Sequence, residues 1–354
     1  MSRPEDDIRH RVSRPPTPIL DRMKKIRIAV AALTAGLTML VPAVAEAAPT
    51  SLTFGIYPGG YAGGGSTTGK PDNPAEIRKA LAQLQSGHRT FLLRDYLGCG
   101  SAFPDDEMQY LAPGRRLDVV LGYSGQTMPE WQACVERTVR RYGPVADTIS
   151  VTLEQNVVPQ PNGDNALVQG VIAGKKAADR EGFGKLQIGF DEVAYTRPFT
   201  QFWQHLAQLG GAEFSRSVGF VGVDLYPDSG LPGIPPEPDL AGFVHQTLHT
   251  VRTQEMPIAG LGRDVPIRVS ENGWATHTAD RTPAGQARAL TTEILAINQD
   301  RVTENVASYE LFALRDDVTG SPSPFDNFGI LTDDYAPKPM YWLYRGLISA
   351  LGRS

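Results

Sequence analysis

The sequence has little of what most metal, redox and nucleotide-binding proteins are recognised by. Cysteine occurs only twice, at Cys99 and Cys134, with no CxxC spacing, which excludes a thioredoxin-like redox pair and a cysteine-based zinc site. Histidine occurs six times, and the two that share a helical face, His245 and His249, lack the glutamate of a zinc-protease helix. Basic charge is short as well. Lys and Arg number 34 against 39 Asp and Glu, for a net charge of −5, with the signs mixed throughout. No stripe is left that would neutralise a nucleic-acid backbone or dock on anionic lipid. There is no Gly-x-Ser-x-Gly elbow for a serine nucleophile. The segment GGSTTGKP, Gly64 to Pro71, fails as a phosphate-binding loop, because Pro71 stands where a hydroxyl must reach magnesium. No nucleic-acid partner, no metal and no cofactor are therefore expected, and the segment from Tyr57 to Lys70 reads as a loop able to cover a substrate.

Long apolar runs are confined to one place. Lys24, Lys25 and Arg27 precede an uncharged stretch from Ile28 to Ala45, which ends in the small-residue tract AEAAPT. That is the layout of a signal peptide, expected over 23–47, with cleavage after Ala47 and no stable membrane insertion afterwards. Residues 1–22 are charged and proline-rich without apolar periodicity, and read as a disordered leader or an early start codon. Residues 48–354 then form a single secreted, extracellular domain, expected to be a monomer. In an oxidising compartment an even pair of cysteines favours a Cys99–Cys134 disulfide, the other reading being two buried thiols.

From Ser51 onward, short β-branched and aromatic runs alternate with amphipathic helical patterns, the signature of repeated βα units. Eight strand candidates stand out, at 52–57, 90–96, 117–123, 148–156, 186–193, 218–226, 266–274 and 307–314. Between them, helical patterns follow Asn73, Met128 and Thr282, and Asn or Thr before Pro places an N-cap ahead of a first-turn proline. KPMYWLYRGLISAL closes the chain as a final helix, and only Gly98 to Pro113 lacks a clear helical pattern. Eight such units without a break in composition predict an α/β fold, a single-domain (β/α)₈ TIM barrel, with an open doubly wound sheet as the other candidate.

A barrel of this kind carries function at the carboxyl ends of its strands. Those ends hold Arg94, Glu154 and Asn156, Asp191 and Glu192, Asp224 and Tyr226, Glu271 and Trp274, and Glu310. Glu154 and Glu271 belong to the fourth and seventh strands, on opposite sides of the mouth, where two carboxyl groups can flank a sugar ring as acid/base and nucleophile. Other readings of the same residues stay open. Either glutamate can be a salt-bridge partner of Arg94 or Arg268, Trp274 and Tyr226 can simply pack, and Asp191, Glu192 and Asp224 can form a hard-oxygen metal site.

The motif RVSENGW, Arg268 to Trp274, resembles the seventh-strand nucleophile motif of the clan A glycoside hydrolases, the retaining (β/α)₈ superfamily. The tail from Asp326 to Leu347 is similar to that clan's segment after strand eight. The resemblance implies a glycosidase that cleaves O-glycosidic bonds of a poly- or oligosaccharide by double displacement. Glu271 matches the nucleophile, Glu154 the acid/base, Tyr226 the sixth-strand aromatic and Arg94 the second-strand arginine. Asn156, Asp191, Asp224, Trp274 and Glu310 complete the expected carbohydrate-binding set. One departure is plain: the clan has Asn immediately before the acid/base, where this chain has Leu153. Asn156 would share a face with Glu154 if the strand ran on extended, and would replace that contact. A barrel that binds carbohydrate without turnover is the alternative.

Overall fold

The structure, a computed structural model, describes residues 51–60, 69–88, 90–100, 107–231 and 233–353. The expected leader and signal segment, and residues 61–68 of the first loop, lie outside these. Eight parallel strands close into one barrel in sequence order. They are β1 (Thr53–Ile56), β2 (Phe91–Gly98), β3 (Arg115–Gly122), β4 (Ala146–Val151), β5 (Gln187–Val193), β6 (Phe220–Leu225), β7 (Ile267–Asn272) and β8 (Val306–Leu311). The helices among the described residues are α1 (Pro74–Gln85), α2 (Met128–Tyr142), α3 (Gly163–Glu181), α4 (Thr200–Ser217), α5 (Leu240–Thr250), α6 (Pro283–Asp300) and α7 (Pro339–Leu351). β1 pairs with β8, so the sheet has no edge and the open-sheet candidate is excluded. The second crossover, the weak one in the sequence, holds only a 3₁₀ turn at Glu107–Tyr110 among its described residues.

The caps form as their spacing requires. Asn73 Oδ1 accepts from the backbone N–H of Ala75 at 3.0 Å, and Thr282 Oγ1 accepts from Gly285 N–H at 3.1 Å. Glu130 reaches back to Thr127, accepting from its backbone N–H at 3.0 Å and its hydroxyl at 2.7 Å. Each satisfies amides that a helix start leaves open.

Strand alternation sorts the side chains into two populations. Phe54, Leu93, Val119, Ile149, Phe190, Val223, Val269 and Tyr309 join the continuous core between sheet and helices. The alternate positions Arg94, Asp118, Thr148, Ser150, Asp191, Asp224, Ser270, Ser308 and Glu310 are also buried, yet polar. They point into the barrel, because Arg94 on β2 reaches Asp191 on β5, a strand it does not neighbour, at 2.8 Å. Gly222 makes room for this interior: a Cβ there would overlap Asp191 Oδ1 and Ser270 Oγ. A barrel normally fills its interior with branched apolar side chains. This one fills it with charge and hydrogen bonds that converge toward the mouth.

Candidate active site

Glu271 owes its position to an irregularity in β7. On a regular strand Ser270 and Glu271 would face opposite sides, but the register with β8 shifts between Val269 and Asn272, and that with β6 shifts at Val223/Asp224. Ser270 Oγ consequently lies 3.4 Å from Asp191 inside the barrel, while Glu271 also turns inward to the mouth. Asn272 faces outward and is fixed there. Its Nδ2 donates to Leu225 O at 2.7 Å and to Glu293 Oε2 at 2.6 Å, and its Oδ1 accepts from Tyr309 at 2.7 Å. Such bulges commonly re-aim a functional side chain.

Three donors hold the Glu271 carboxylate. Tyr96 Oη donates to Oε1 at 2.6 Å, Arg94 Nη2 donates to the same oxygen at 3.0 Å, and Tyr226 Oη donates to Oε2 at 2.8 Å. Arg94 is itself pinned by Asp118 at 2.6 Å and Asp191 at 2.8 Å, and its Nε donates to Tyr96 Oη at 2.9 Å. Asp118 also accepts from Thr148 and Asp191 from Ser150. The guanidinium is buried, which by itself disfavours its charge, but the carboxylates of Asp191, Glu271 and Asp118 offset that. Burial first, and then the charge of Glu271, push both Tyr226 and Tyr96 far above the ordinary phenol range. They stay protonated, as donors must.

Glu154 does not sit on a strand. β4 ends at Val151, and Thr152 and Glu154 both take left-handed backbone conformations, with φ of 69° and 46°. Non-glycine residues rarely adopt this region, and the turn it makes swings Glu154 over the mouth while Leu153 is left exposed. Burial, then the neighbouring charges of Glu271 and Asp191, raise the Glu154 carboxyl to about 8, against the opposing pull of Arg94. One carboxyl oxygen each from Glu154, Glu271 and Asp224 lie within 4.8 Å of one another.

The remaining expected contacts divide. Asp224 is fully buried, neither of its oxygens has a hydrogen-bond partner among the described residues, and burial followed by Glu271 lifts its carboxyl well above the ordinary range. Asn156 corrects the sequence expectation: because the strand stops five residues earlier than its sequence suggests, Asn156 does not share a face with Glu154. Its amide instead donates to Val193 O at 2.8 Å and accepts from Val193 N–H at 3.1 Å, tying the loop after β4 to the end of β5. Trp274 is buried with the Arg281 guanidinium 3.6 Å over its ring, and donates to Asp228 at 3.1 Å, so that ring face is already covered. Asp191 and Glu310 lie inside the barrel beneath the mouth, with Asp191 bonded to Arg94 and Ser150. Glu192 leaves the acidic set altogether. It faces outward on β5 and accepts from Trp203 Nε1 at 2.9 Å, so a cluster of Asp191, Glu192 and Asp224 does not assemble. His245 and His249 pair with Asp300 and Glu304 at the end of α6.

Sequence reading missed Tyr96 and Asp118. The signal for Tyr96 was its place two residues beyond Arg94, on the same strand face; for Asp118 it was a lone acid within the apolar run LDVVLGY. Cys99 and Cys134 are joined by a disulfide, which ties the end of β2 to α2.

Solved structures share this architecture at low identity. A family 39 glycoside hydrolase from the gut symbiont Bacteroides cellulosilyticus WH2 is similar over 86% of this chain and 64% of its own, with a TM-score of 0.60 and 14% identity. The family 1 β-glucosidase from Thermotoga maritima is similar over 86% of this chain and 99% of its own, with a TM-score of 0.57 and 12% identity. A β-glucosidase in its apo form gives a TM-score of 0.53 at 14% identity, over 79% of this chain and 89% of its own. The chain thus spans less than two thirds of the family 39 enzyme. No family model and no curated protein sequence matches the chain. The class that these observations define is a closed (β/α)₈ barrel with two glutamates at its mouth.

Proposed function

We propose that the protein is a retaining glycoside hydrolase that acts on O-glycosidic bonds, with Glu271 as nucleophile and Glu154 as acid/base. One observation carries this reading: two carboxyl groups from opposite walls of the mouth come within 4.8 Å, one gripped by three donors and the other raised to about 8. Retaining enzymes keep their two carboxyls roughly 5–5.5 Å apart, whereas inverting enzymes leave about 6.5–9.5 Å for a water. Glu271 attacks the anomeric carbon as Glu154 gives its proton to the departing oxygen. Forming the glycosyl ester removes the charge of Glu271 that helped to raise Glu154, so Glu154 becomes more acidic and can take a proton from the water that attacks next. A second reading, binding without turnover, draws support from Leu153 and the locked amide of Asn156, which leave the loop after β4 without the clan's hydroxyl contact. Export is part of the proposal. The charged, apolar and small-residue order of residues 23–47 supports it, as does the disulfide.

The test is a panel of aryl glycosides and oligosaccharides assayed with wild type, Glu271→Gln and Glu154→Gln, with the product anomer followed by NMR. Retention in the wild type and a loss on the order of 10²–10⁴-fold in Glu154→Gln are expected, with Glu271→Gln at least as impaired. Equal rates in all three proteins would sink the assignment. Turnover that persists in a chelator is also expected; its loss would favour a metal held by the carboxylates.

A further inference from the structure

Trp342 stands apart from the other tryptophans of the chain. Trp131, Trp203 and Trp274 are buried, whereas Trp342, in the first turn of α7, is 51% exposed. The buried face of α7 consists of Met340, Tyr341, Tyr344 and Ile348, so the packing of the helix does not account for an indole at 342. The ring meets that of Tyr341 edge-on, with centroids 5.0 Å apart. It lines a groove of about 180 Å³ between α7 and α1, together with Glu76, Lys79 and Gln83 of α1 and with Tyr335 from the segment between β8 and α7. Both helices start where strands end, and Glu76, Lys79 and Trp342 lie in their opening turns, so the groove runs down the flank of the barrel from the level of the mouth. None of the residues that hold Glu271 or Glu154 takes part in it.

The lining sets an apolar surface beside balanced polar groups. Lys79 Nζ lies 3.2 Å from Glu76 Oε2, so the two charges cancel and the groove favours neither an anion nor a cation. Gln83 Oε1 accepts from Tyr341 Oη at 2.8 Å, which holds the amide and leaves its Nε2 without a partner among the described residues. Tyr335 Oη accepts from the Asn73 N–H at 2.6 Å, and its own proton is left to donate. A protein partner needs about 800 Å² of matching surface on each side, and an anionic membrane needs a cluster of basic side chains. This groove is narrow and neutral. About 150 Å³ is enough to hold benzene, so a single six-membered ring fits. A pyranose has the chemistry to match: its C–H face is apolar and covers an indole, while its hydroxyls, which lose water on entry and must be paired again, meet the amide, the phenol and the ion pair. Trp342, Lys79 and Gln83 are all exposed, so the groove is open to solvent and a chain can continue past the bound ring.

We propose that this groove is a second carbohydrate site, separate from the mouth, that holds one uncharged pyranose unit of an oligo- or polysaccharide against Trp342. It needs no turnover at Glu271, and so stands or falls apart from the glycosidase reading. The test is native electrophoresis of the intact protein through gels containing hydroxyethyl cellulose, mixed-linkage β-glucan, arabinoxylan or galactomannan, with polygalacturonate as the charged comparison. At least one neutral polymer should retard wild type and Glu271→Gln alike, and Trp342→Ala should weaken that binding about tenfold, with a smaller loss in Gln83→Ala. No retardation by any neutral polymer, stronger retardation by polygalacturonate, or retardation that Trp342→Ala leaves intact would overturn the proposal. Fluorescence gives a second readout, because the exposed indole is the one that acrylamide reaches. The retarding polysaccharide should lower acrylamide quenching in wild type and in Glu271→Gln. Quenching that the polymer leaves unaltered would overturn the proposal, as would protection produced by raising the protein concentration alone, which would assign the groove to a second copy of the chain. Rates on a small aryl glycoside should be the same in Trp342→Ala as in wild type; a loss there would overturn the separation of this site from the mouth.

Discussion

Tyr96 makes the shortest of the three hydrogen bonds to Glu271. A bond from a phenol to a buried carboxylate is worth roughly 1.5–3 kcal/mol. Tyr96→Phe should therefore lower kcat about 10–100-fold with a smaller change in KM, as steady-state kinetics on an aryl glycoside would show; an unchanged kcat would mean that Arg94 and Tyr226 suffice. Glu154 sets the pH response. Its carboxyl titrates at about 8, and a general acid must be protonated to work, so the rate should fall as pH rises through about 8. With an activated leaving group, which needs no protonation, that alkaline limb should shrink in Glu154→Gln. A limb that persists unaltered would belong to another group. Asp224 is fully buried beside both glutamates, and burial, then the charge of Glu271, lifts its carboxyl well above the ordinary carboxylate range.

At the scale of elements, each of the two glutamates at the mouth is placed by a break in regularity. The shift in β7 turns Glu271 inward next to Ser270, and the early end of β4 hands Glu154 to a strained turn. The tie from Asn156 to Val193 braces that turn against β5. Below it, Trp131 of α2 is fully buried and donates to Ala166 O of α3 at 2.7 Å, and the disulfide anchors the same helix through Cys134. Cross-linking a loop of 35 residues restricts the unfolded chain by about 3–4 kcal/mol in the chain-entropy account. Cys134→Ala should lower unfolding free energy by about 2–4 kcal/mol in a denaturant titration, and reducing agent should do the same to the wild type. No loss in either case would mean that the second crossover is held by packing alone.

The whole molecule is organised around buried acids. Burial raises Glu310 and Glu192 well above the usual carboxylate range, Glu255 to about 7 and Glu293 to about 8. Each binds its proton more tightly when folded than when unfolded, where its value is 4.5. The stabilising contribution is then fully present below about pH 4.5 and is lost as pH climbs through 7 and 8. Thermal unfolding should accordingly give a higher Tm near pH 5 than at pH 8.5, with a shallower slope in Glu293→Gln. A Tm that rises over this interval would contradict the protonated interior.

The sequence alone determined the architecture, because eight apolar runs separated by capped helical patterns have one economical closure, and residues two apart on a strand must share a face. It also exposed Arg94, Glu154, Tyr226 and Glu271, since polar residues at strand ends in a barrel have few other places to go. It did not reveal Tyr96 or Asp118, and it misplaced Asn156, whose partner Val193 is set by a turn; for Trp274 it left packing and stacking on sugar both open, and Arg281, set by a loop, covers one face of that ring. Only the tertiary structure decided those roles. Alternation specifies inside or outside along a regular strand, whereas a register shift, a left-handed turn or a cross-barrel ion pair depends on neighbours far away in the chain.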